Sequence, residues 1–131
     1  MNTGYDEDYL LQAWFNVDQD VYLANSRELD TLISYPNGNT SFVIPRKSGN
    51  LVLLCRKDSI VLGDRNIADG HWHQLSMMVK KSENGNAVVY LDGSNVGQIA
   101  ARNVDSMQGL LFLGDRGGSF SGYFDEIRIW N

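Results

Sequence analysis

Apolar side chains along this chain repeat with the two-residue period of β-strands, in short runs separated by turn-forming residues. In residues 9–17 every odd-numbered position is apolar, whereas Gln12 and Asn16 occupy the opposite face. Trp14 interrupts that polar face. Because a solvated face seldom carries a Trp in the middle of a strand, we expect Trp14 to cover a second packed layer or to line a groove.

The same period predicts about ten short strands, with Gly, Asn, Asp or Ser clusters between them. In the clearest hairpin, Leu75, Met77 and Val79 point to one face, and the polar turn 81–86 leads into the next strand. Almost no segment has the period of a helix, so the pattern predicts an all-β sandwich or barrel built from antiparallel hairpins. The strands are predicted at 9–17, 31–35, 41–44, 51–55, 59–62, 72–80, 87–91, 96–100, 110–113 and 123–130.

Length and composition fit a single globular domain spanning residues 1–131. With 43% of its residues apolar, the chain can fill one hydrophobic core. No run approaches the roughly 20 consecutive apolar residues of a membrane-spanning helix, so we expect no membrane insertion. The formal net charge of −5 offers no basic field to attract phosphates, and nucleic acid is therefore not an expected partner.

The single cysteine, Cys55, cannot form an internal disulfide. Its place after the aliphatic run 51–54 indicates a buried, unreactive thiol. Asn39 begins an N-x-S sequon, and whether it carries a glycan stays open. The first residues lack the basic start and apolar stretch of a secretory signal, which is also what a domain taken from a larger secreted protein would show.

Three segments share their order and spacing with a known family: 69–75 (DGHWHQL), 89–93 (VYLDG) and 120–130 (FSGYFDEIRIW). Together with 11–15 they resemble the laminin G-like and pentraxin-like domains of the concanavalin A-like lectin superfamily. The resemblance implies a jelly-roll sandwich of two antiparallel sheets, in an extracellular or cell-surface setting as part of a larger protein. The chain matches neither the calcium-binding segment of pentraxins nor the disulfide of laminin G-like domains.

Residue chemistry gives these motifs structural roles. Asp69-Gly70 and Asp92-Gly93 suit turns, because Asp accepts hydrogen bonds from nearby backbone N–H groups and Gly adopts positive φ. Trp72, at the entry of a strand, is expected to be a buried anchor between the sheets, and we expect its replacement by Ala to cost about 3–5 kcal/mol of stability.

The sequence gives little support for a catalytic site or a zinc site. The superfamily's glucanases resemble one another in an E-x-D-x-x-E strand, and Asp125-Glu126 does not have that spacing. His71 and His73 lie two residues apart and could face one metal, but no cysteine pair accompanies them. We expect neither an enzyme nor a zinc site.

Two groups of residues are candidates for binding. Trp14 and Met78, each on the polar face of its strand, are expected to line a shallow groove on the concave sheet, and Asp115 and Arg116 to bind ligand at the loop rim. Solvated loops and packing under a loop are the alternatives. Calcium is the one cofactor that the sequence leaves open, and its predicted ligands are Glu83, Asn84, Asn86 and Asp115.

The sequence thus predicts a non-catalytic recognition module that binds a protein or glycan partner through its loop rim in adhesion. A carbohydrate-binding module of a microbial enzyme would instead stack aromatic side chains on sugar rings. A structural spacer domain, with no ligand at all, is the third possibility.

Overall fold

The computed structural model describes residues 7–24, 28–36, 38–56, 58–106, 111–113 and 120–130. Within these residues the chain forms ten strands, one short helix and two 3₁₀ turns, at Ser82–Asn84 and Ala101–Asn103. The strands and the helix are β1 (Tyr9–Val17), α1 (Gln19–Ala24), β2 (Leu29–Ser34), β3 (Ser41–Pro45), β4 (Leu51–Leu54), β5 (Ser59–Leu62), β6 (Trp72–Val79), β7 (Asn86–Leu91), β8 (Ser94–Ala100), β9 (Phe112–Leu113) and β10 (Gly122–Trp130).

The strands form two five-stranded antiparallel sheets. Sheet A has the order β10-β1-β6-β7-β8, and sheet B the order β5-β4-β3-β2-β9. The first strand therefore lies between the last strand and β6, so both ends of the described chain belong to one sheet. The predicted sandwich is confirmed. Its sheet A includes the pairing of β1 with β10, which lie far apart in sequence.

The hydrophobic core lies between the sheets and follows the predicted alternation. Leu11, Phe15 and Leu75 of sheet A are fully buried, as are Phe42 and Leu53 of sheet B. Each such side chain contributes about 1.5–3 kcal/mol by leaving water. Because side chains alternate along a strand, these buried positions fix which residues of sheet A point outward.

A β-bulge in β10 changes the register of sheet A near its edge. Trp14 pairs with Asp125 and Gln12 pairs with Arg128, so β10 contains one residue more than β1 in this interval. Glu126 adopts the left-handed region at φ 47°. The extra residue keeps Ile127 and Ile129 packed against the core while Arg128 and Trp130 point outward.

Several sequence-based predictions need correction. Trp72 is not a buried anchor: it is 47% exposed, because His73 and Leu75 take the inward positions of β6. The helix α1 was not predicted, and the strand predicted at 110–113 is described only at Phe112–Leu113. Cys55 is half-buried, and burial, followed by the nearby carboxylates of Asp105 and Asp58, raises the pKa of its thiol to about 11, in agreement with an unreactive thiol.

Within the described part of the chain, no helix has the length and apolar character needed to cross a membrane. Asn39 of the sequon is exposed beside the turn that precedes β3.

Candidate functional site

The outer face of sheet A carries all three tryptophans of the chain, Trp14, Trp72 and Trp130. Alternation from the buried residues of β1, β6 and β10 places them there. Tyr90 of β7 and Tyr123 of β10 lie on the same face. We call this surface, defined by these five aromatic residues, the aromatic face.

These aromatic rings remain accessible in the folded domain. Trp72 is 47% exposed, Trp130 52% and Tyr123 58%, whereas Trp14 is half-buried. Large aromatic side chains usually contribute their area to a core or an interface. On sheet A they contribute little to the core, and large apolar side chains left exposed on one face are typical of an interaction site.

The strand register brings three of the rings around one amide. Asn16 pairs with Trp72 on one side and with Tyr123 on the other. Two interstrand spacings therefore separate Trp72 from Tyr123, or about 10 Å between their backbones. Trp14 is the diagonal neighbour of both, two residues along β1 from Asn16. One ligand can touch all three rings and the Asn16 side chain.

Polar side chains alternate with the rings along the face. Gln12 pairs with Ser76 on one side and Arg128 on the other, and Gln74 pairs with Trp14. The Nε1–H of Trp130 donates to Oε1 of Gln12 at 3.2 Å. Amides and hydroxyls both donate and accept hydrogen bonds, so the face offers directional polar contacts between its flat apolar surfaces.

A buried histidine, His73, contacts two carboxylates at the end of sheet A that carries Trp72. Nδ1 of His73 lies 2.7 Å from Oδ2 of Asp92, and its Nε2 lies 2.9 Å from Oδ1 of Asp69. Ionised carboxylates only accept, so both hydrogen bonds form when both ring nitrogens carry a proton. The same two carboxylates accept from the backbone N–H groups of His71 and Gln74. The DGHWH and LDG motifs are thus joined through His73.

These contacts set the ionisation of both carboxylates. Burial acts to raise the pKa of Asp69, but hydrogen bonds from His73 and from the His71 N–H outweigh it and lower that pKa below its ordinary value. The pKa of Asp92 is lowered in the same way, with burial opposed by hydrogen bonds from His73, the Gln74 N–H and Arg65. Because both ring nitrogens of His73 are engaged, the ring has no nitrogen left for a shared metal with His71.

The structure describes two of the four predicted ligand-binding residues, whose role stays a prediction. Trp14 and Met78 lie on the same outer face, on the neighbouring strands β1 and β6, and Met78 pairs with Leu10. Four residues of strand separate Leu10 from Trp14, which is about 13 Å. Asp115 and Arg116 lie outside the described residues. Sequence reasoning missed Trp72, Tyr90, Tyr123 and Trp130 as surface residues, although the phase of the alternation carried the signal.

The predicted calcium ligands Glu83 and Asn84 are exposed in the connection between β6 and β7, and Asn86 is the exposed first residue of β7. Among the described residues, no three His, Cys, Asp or Glu side chains are grouped so that they could hold a metal ion. With Asp115 outside the described part of the chain, the calcium site stays a prediction.

Similar solved structures share this fold at low sequence identity. A candidate carbohydrate-binding protein from Bacteroides ovatus has a TM-score of 0.68 at 14% identity, covering 99% of this chain and 39% of its own. The binding domain of botulinum neurotoxin serotype D has a TM-score of 0.68 at 17% identity, covering 95% and 33%. The serotype D ligand-binding domain in complex with N-acetylneuraminic acid has a TM-score of 0.65 at 16% identity, covering 99% and 35%.

The chain therefore spans 39% of the Bacteroides ovatus chain and about a third of the toxin domains. At these identities the likeness concerns the fold. No curated protein sequence matches the chain. A family model described as the concanavalin A-like lectin/glucanases superfamily matches residues 3–131. The chain thus belongs to a laminin G-like family of the concanavalin A-like lectin/glucanases superfamily.

Proposed function

We propose that this protein is a non-catalytic glycan-recognition module that binds a sugar chain on its aromatic face. The observation that carries the proposal is the position of all three tryptophans on one sheet face, Trp72 and Trp130 exposed and Trp14 half-buried, with amide and hydroxyl side chains between them. The proposed surface is a sheet face that includes Trp14, which the sequence pattern predicted to line a groove on the concave sheet, whereas the predicted recognition site lay mainly at the loop rim.

Sugar rings match this surface chemically. The apolar C–H faces of a pyranose leave water when they stack on Trp or Tyr, and the ring hydroxyls need donors and acceptors at the edges of the stack. Trp72 and Tyr123 provide such platforms on either side of Asn16. A protein partner would also bury the rings, but it would not require an amide beside each of them.

The carboxylates of the aromatic face do not form a hydrolytic pair. Asp125 and Glu126 are adjacent in the β10 bulge, and Glu126 lies 3.8 Å from Arg128. Glycoside hydrolysis uses two carboxylates that flank the scissile bond. This arrangement supports binding without catalysis.

The comparisons support the class of ligand without locating it. One similar structure is a candidate carbohydrate-binding protein, and another was solved with N-acetylneuraminic acid. We also propose that the domain acts at the cell surface or outside the cell, as one part of a larger protein, since the similar chains are about two and a half to three times its length.

A glycan array followed by calorimetric titration of the best neutral oligosaccharide tests the proposal. Trp72→Ala should weaken binding about tenfold, which corresponds to about 1.4 kcal/mol for one lost stacking platform. Val61→Ala is the matched control, because Val61 is 57% exposed on the outer face of sheet B. Equal affinities for both variants, or no glycan bound on the array, would refute the proposal.

A further inference from the structure

The Asn16 side chain lies between two exposed aromatic residues in one row of sheet A. Asn16 pairs with Trp72 of β6 on one side and with Tyr123 of β10 on the other. Both aromatic residues are exposed, whereas Asn16 is half-buried between them. Because side chains of a strand stand roughly perpendicular to the sheet, the two rings are the walls of a slot and the Asn16 amide is its floor. We call these three residues the Asn16 slot.

The polar groups of the slot are not used by the fold. Neither the side-chain amide of Asn16 nor the indole N–H of Trp72 has a hydrogen-bond partner in the described part of the chain. Elsewhere on the same face, by contrast, the amide of Gln12 accepts from the Trp130 indole. A side-chain amide both donates and accepts, so it can bind two neighbouring hydroxyl groups at once. The Asn16 amide is therefore available to a ligand that carries adjacent hydroxyls.

The width of the slot matches one sugar ring. Two interstrand spacings separate the backbones of Trp72 and Tyr123, which is about 10 Å. A pyranose that stacks on both walls makes a carbon contact of about 4 Å on each face, so it needs about 8 Å between the aromatic planes. The slot thus has room for a single ring that enters edge-on, with one edge towards Asn16.

Carboxylates lie next to the slot and disfavour an acidic sugar. Asp18 follows Asn16 by two residues in the chain, and Asp125 follows Tyr123 by two. Asp125 also pairs with Trp14, the next outward residue of β1. Like charges repel, so a neutral sugar is favoured over one that carries a carboxylate.

We infer that the Asn16 slot binds one neutral pyranose whose ring hydroxyls are all equatorial, as in glucose and xylose. Such a ring has an apolar C–H surface on both faces, so Trp72 and Tyr123 both stack on it. Its hydroxyls surround the ring edge, where two adjacent ones bind the Asn16 amide. The inference rests on the proposed glycan-binding function and names the class of sugar that this function recognises.

An epimer with an axial hydroxyl fits the slot less well. In a galactoside the axial hydroxyl at C4 projects from one face of the ring, so one wall of the slot would cover it without a hydrogen bond. The opposite face of the galactoside stays apolar. One aromatic platform therefore accepts both epimers, whereas two platforms select the gluco-configured ring.

The test compares methyl β-D-glucoside with methyl β-D-galactoside, which differ only in the configuration at C4. In ¹H–¹⁵N titrations of the full chain, followed at the Asn16 side-chain amide, the glucoside should bind about tenfold more tightly. Trp72→Ala and Tyr123→Ala should each reduce this ratio to below about threefold, because the galactoside can then turn its apolar face to the remaining ring. Val61→Ala, on the outer face of sheet B, is the control and should leave the ratio unchanged.

Asn16→Ala tests the floor of the slot, with the Trp72 indole signal as the readout. It should reduce glucoside affinity about fivefold, because the hydrogen bonds to two hydroxyls are lost. The matched control is Gln98→Ala, since Gln98 is an exposed amide of the edge strand β8, where it pairs with Val88. This variant should bind the glucoside as the unmodified chain does.

Equal affinities for the two epimers, a ratio that persists in both ring variants, or an unchanged Asn16→Ala variant would overturn the inference. The same holds if neither glycoside shifts the Asn16 amide signals. In each case, an oligosaccharide from the array that still binds in a Trp72-dependent manner would leave the proposed function standing. If no glycan binds at all, both are overturned.

Discussion

The outer faces of the two sheets differ in the kind of apolar side chain that they expose. Across sheet B, Val52 and Val61 pair in one row beside the buried Val43, with Ser41 and Ser59 nearby. Across sheet A, rings and amides alternate instead. Strands favour both β-branched and aromatic residues, so strand propensity does not explain this difference. The combination of exposed rings with amides is the reason why we propose sheet A as the binding face.

The largest expected effect concerns the anchor beneath the aromatic face. His73→Ala should lower the free energy of unfolding by about 3 kcal/mol, because it leaves Asp69 and Asp92 without their shared partner and empties a buried position. Urea denaturation measures it. His71→Ala, exposed just before β6, should change stability by less than about 0.5 kcal/mol. If His73→Ala loses no more stability than His71→Ala, the contacts of His73 do not stabilise the fold.

The next effect separates the two faces by binding. The double variant Trp72→Ala/Tyr123→Ala should lose about 100-fold in affinity for the neutral oligosaccharide, or about 2.7 kcal/mol, because both platforms beside Asn16 are removed. The matched pair Val52→Ala/Val61→Ala on sheet B should bind as the unmodified chain does. Calorimetric titration of the four proteins decides it, and a comparable loss in the sheet B pair would erase the distinction between the faces.

A smaller effect tests the exposure of Trp72. Trp72→Ala should cost about 1–2 kcal/mol of stability, since about half of this large side chain already lies in water. Phe15→Ala, fully buried on β1, should cost about 3–5 kcal/mol. If thermal or urea unfolding gives Trp72→Ala the larger loss, Trp72 is the core anchor that its motif suggested.

The smallest effect is the pH dependence of stability that arises from Asp69 and Asp92, at the end of sheet A that carries Trp72. The pKa values of Asp69 and Asp92 are lowered in the folded protein, so the folded state holds fewer protons than the unfolded one near these values. Their contribution is complete above the ordinary carboxyl pKa of 3.8 and is lost as pH falls from there through the lowered values. In Asp92→Asn the melting temperature should depend less on pH in this acidic range. If the melting temperature of the variant falls on acidification as it does in the unmodified chain, other carboxylates cause the loss of stability in acid.

The alternation of side chains predicted nearly every strand to within two residues, because burial on one face imposes a local period. Its phase, continued back from Leu75, places His73 inward and Trp72 outward, but burying an imidazole instead of an indole is unfavourable without a polar partner. That partner, Asp92, lies 19 residues away and could not be found from the local pattern.

The ion pair between Arg56 and Asp105 could not be predicted from the sequence for the same reason. These residues are 49 positions apart, and no local pattern encodes their contact. The predicted rim residues Asp115 and Arg116 lie outside the described part of the chain and remain predictions.

The most direct test of glycan binding on sheet A uses the tryptophans themselves. Because all three lie on the aromatic face, their indole N–H signals report on that surface alone. In a ¹H–¹⁵N titration with the oligosaccharide selected on the array, we predict that the Trp72 and Trp14 indole signals shift most, while the amides of Val52 and Val61 stay in place. Saturating binding with unmoved indole signals and shifts confined to the loops or to sheet B would contradict the account.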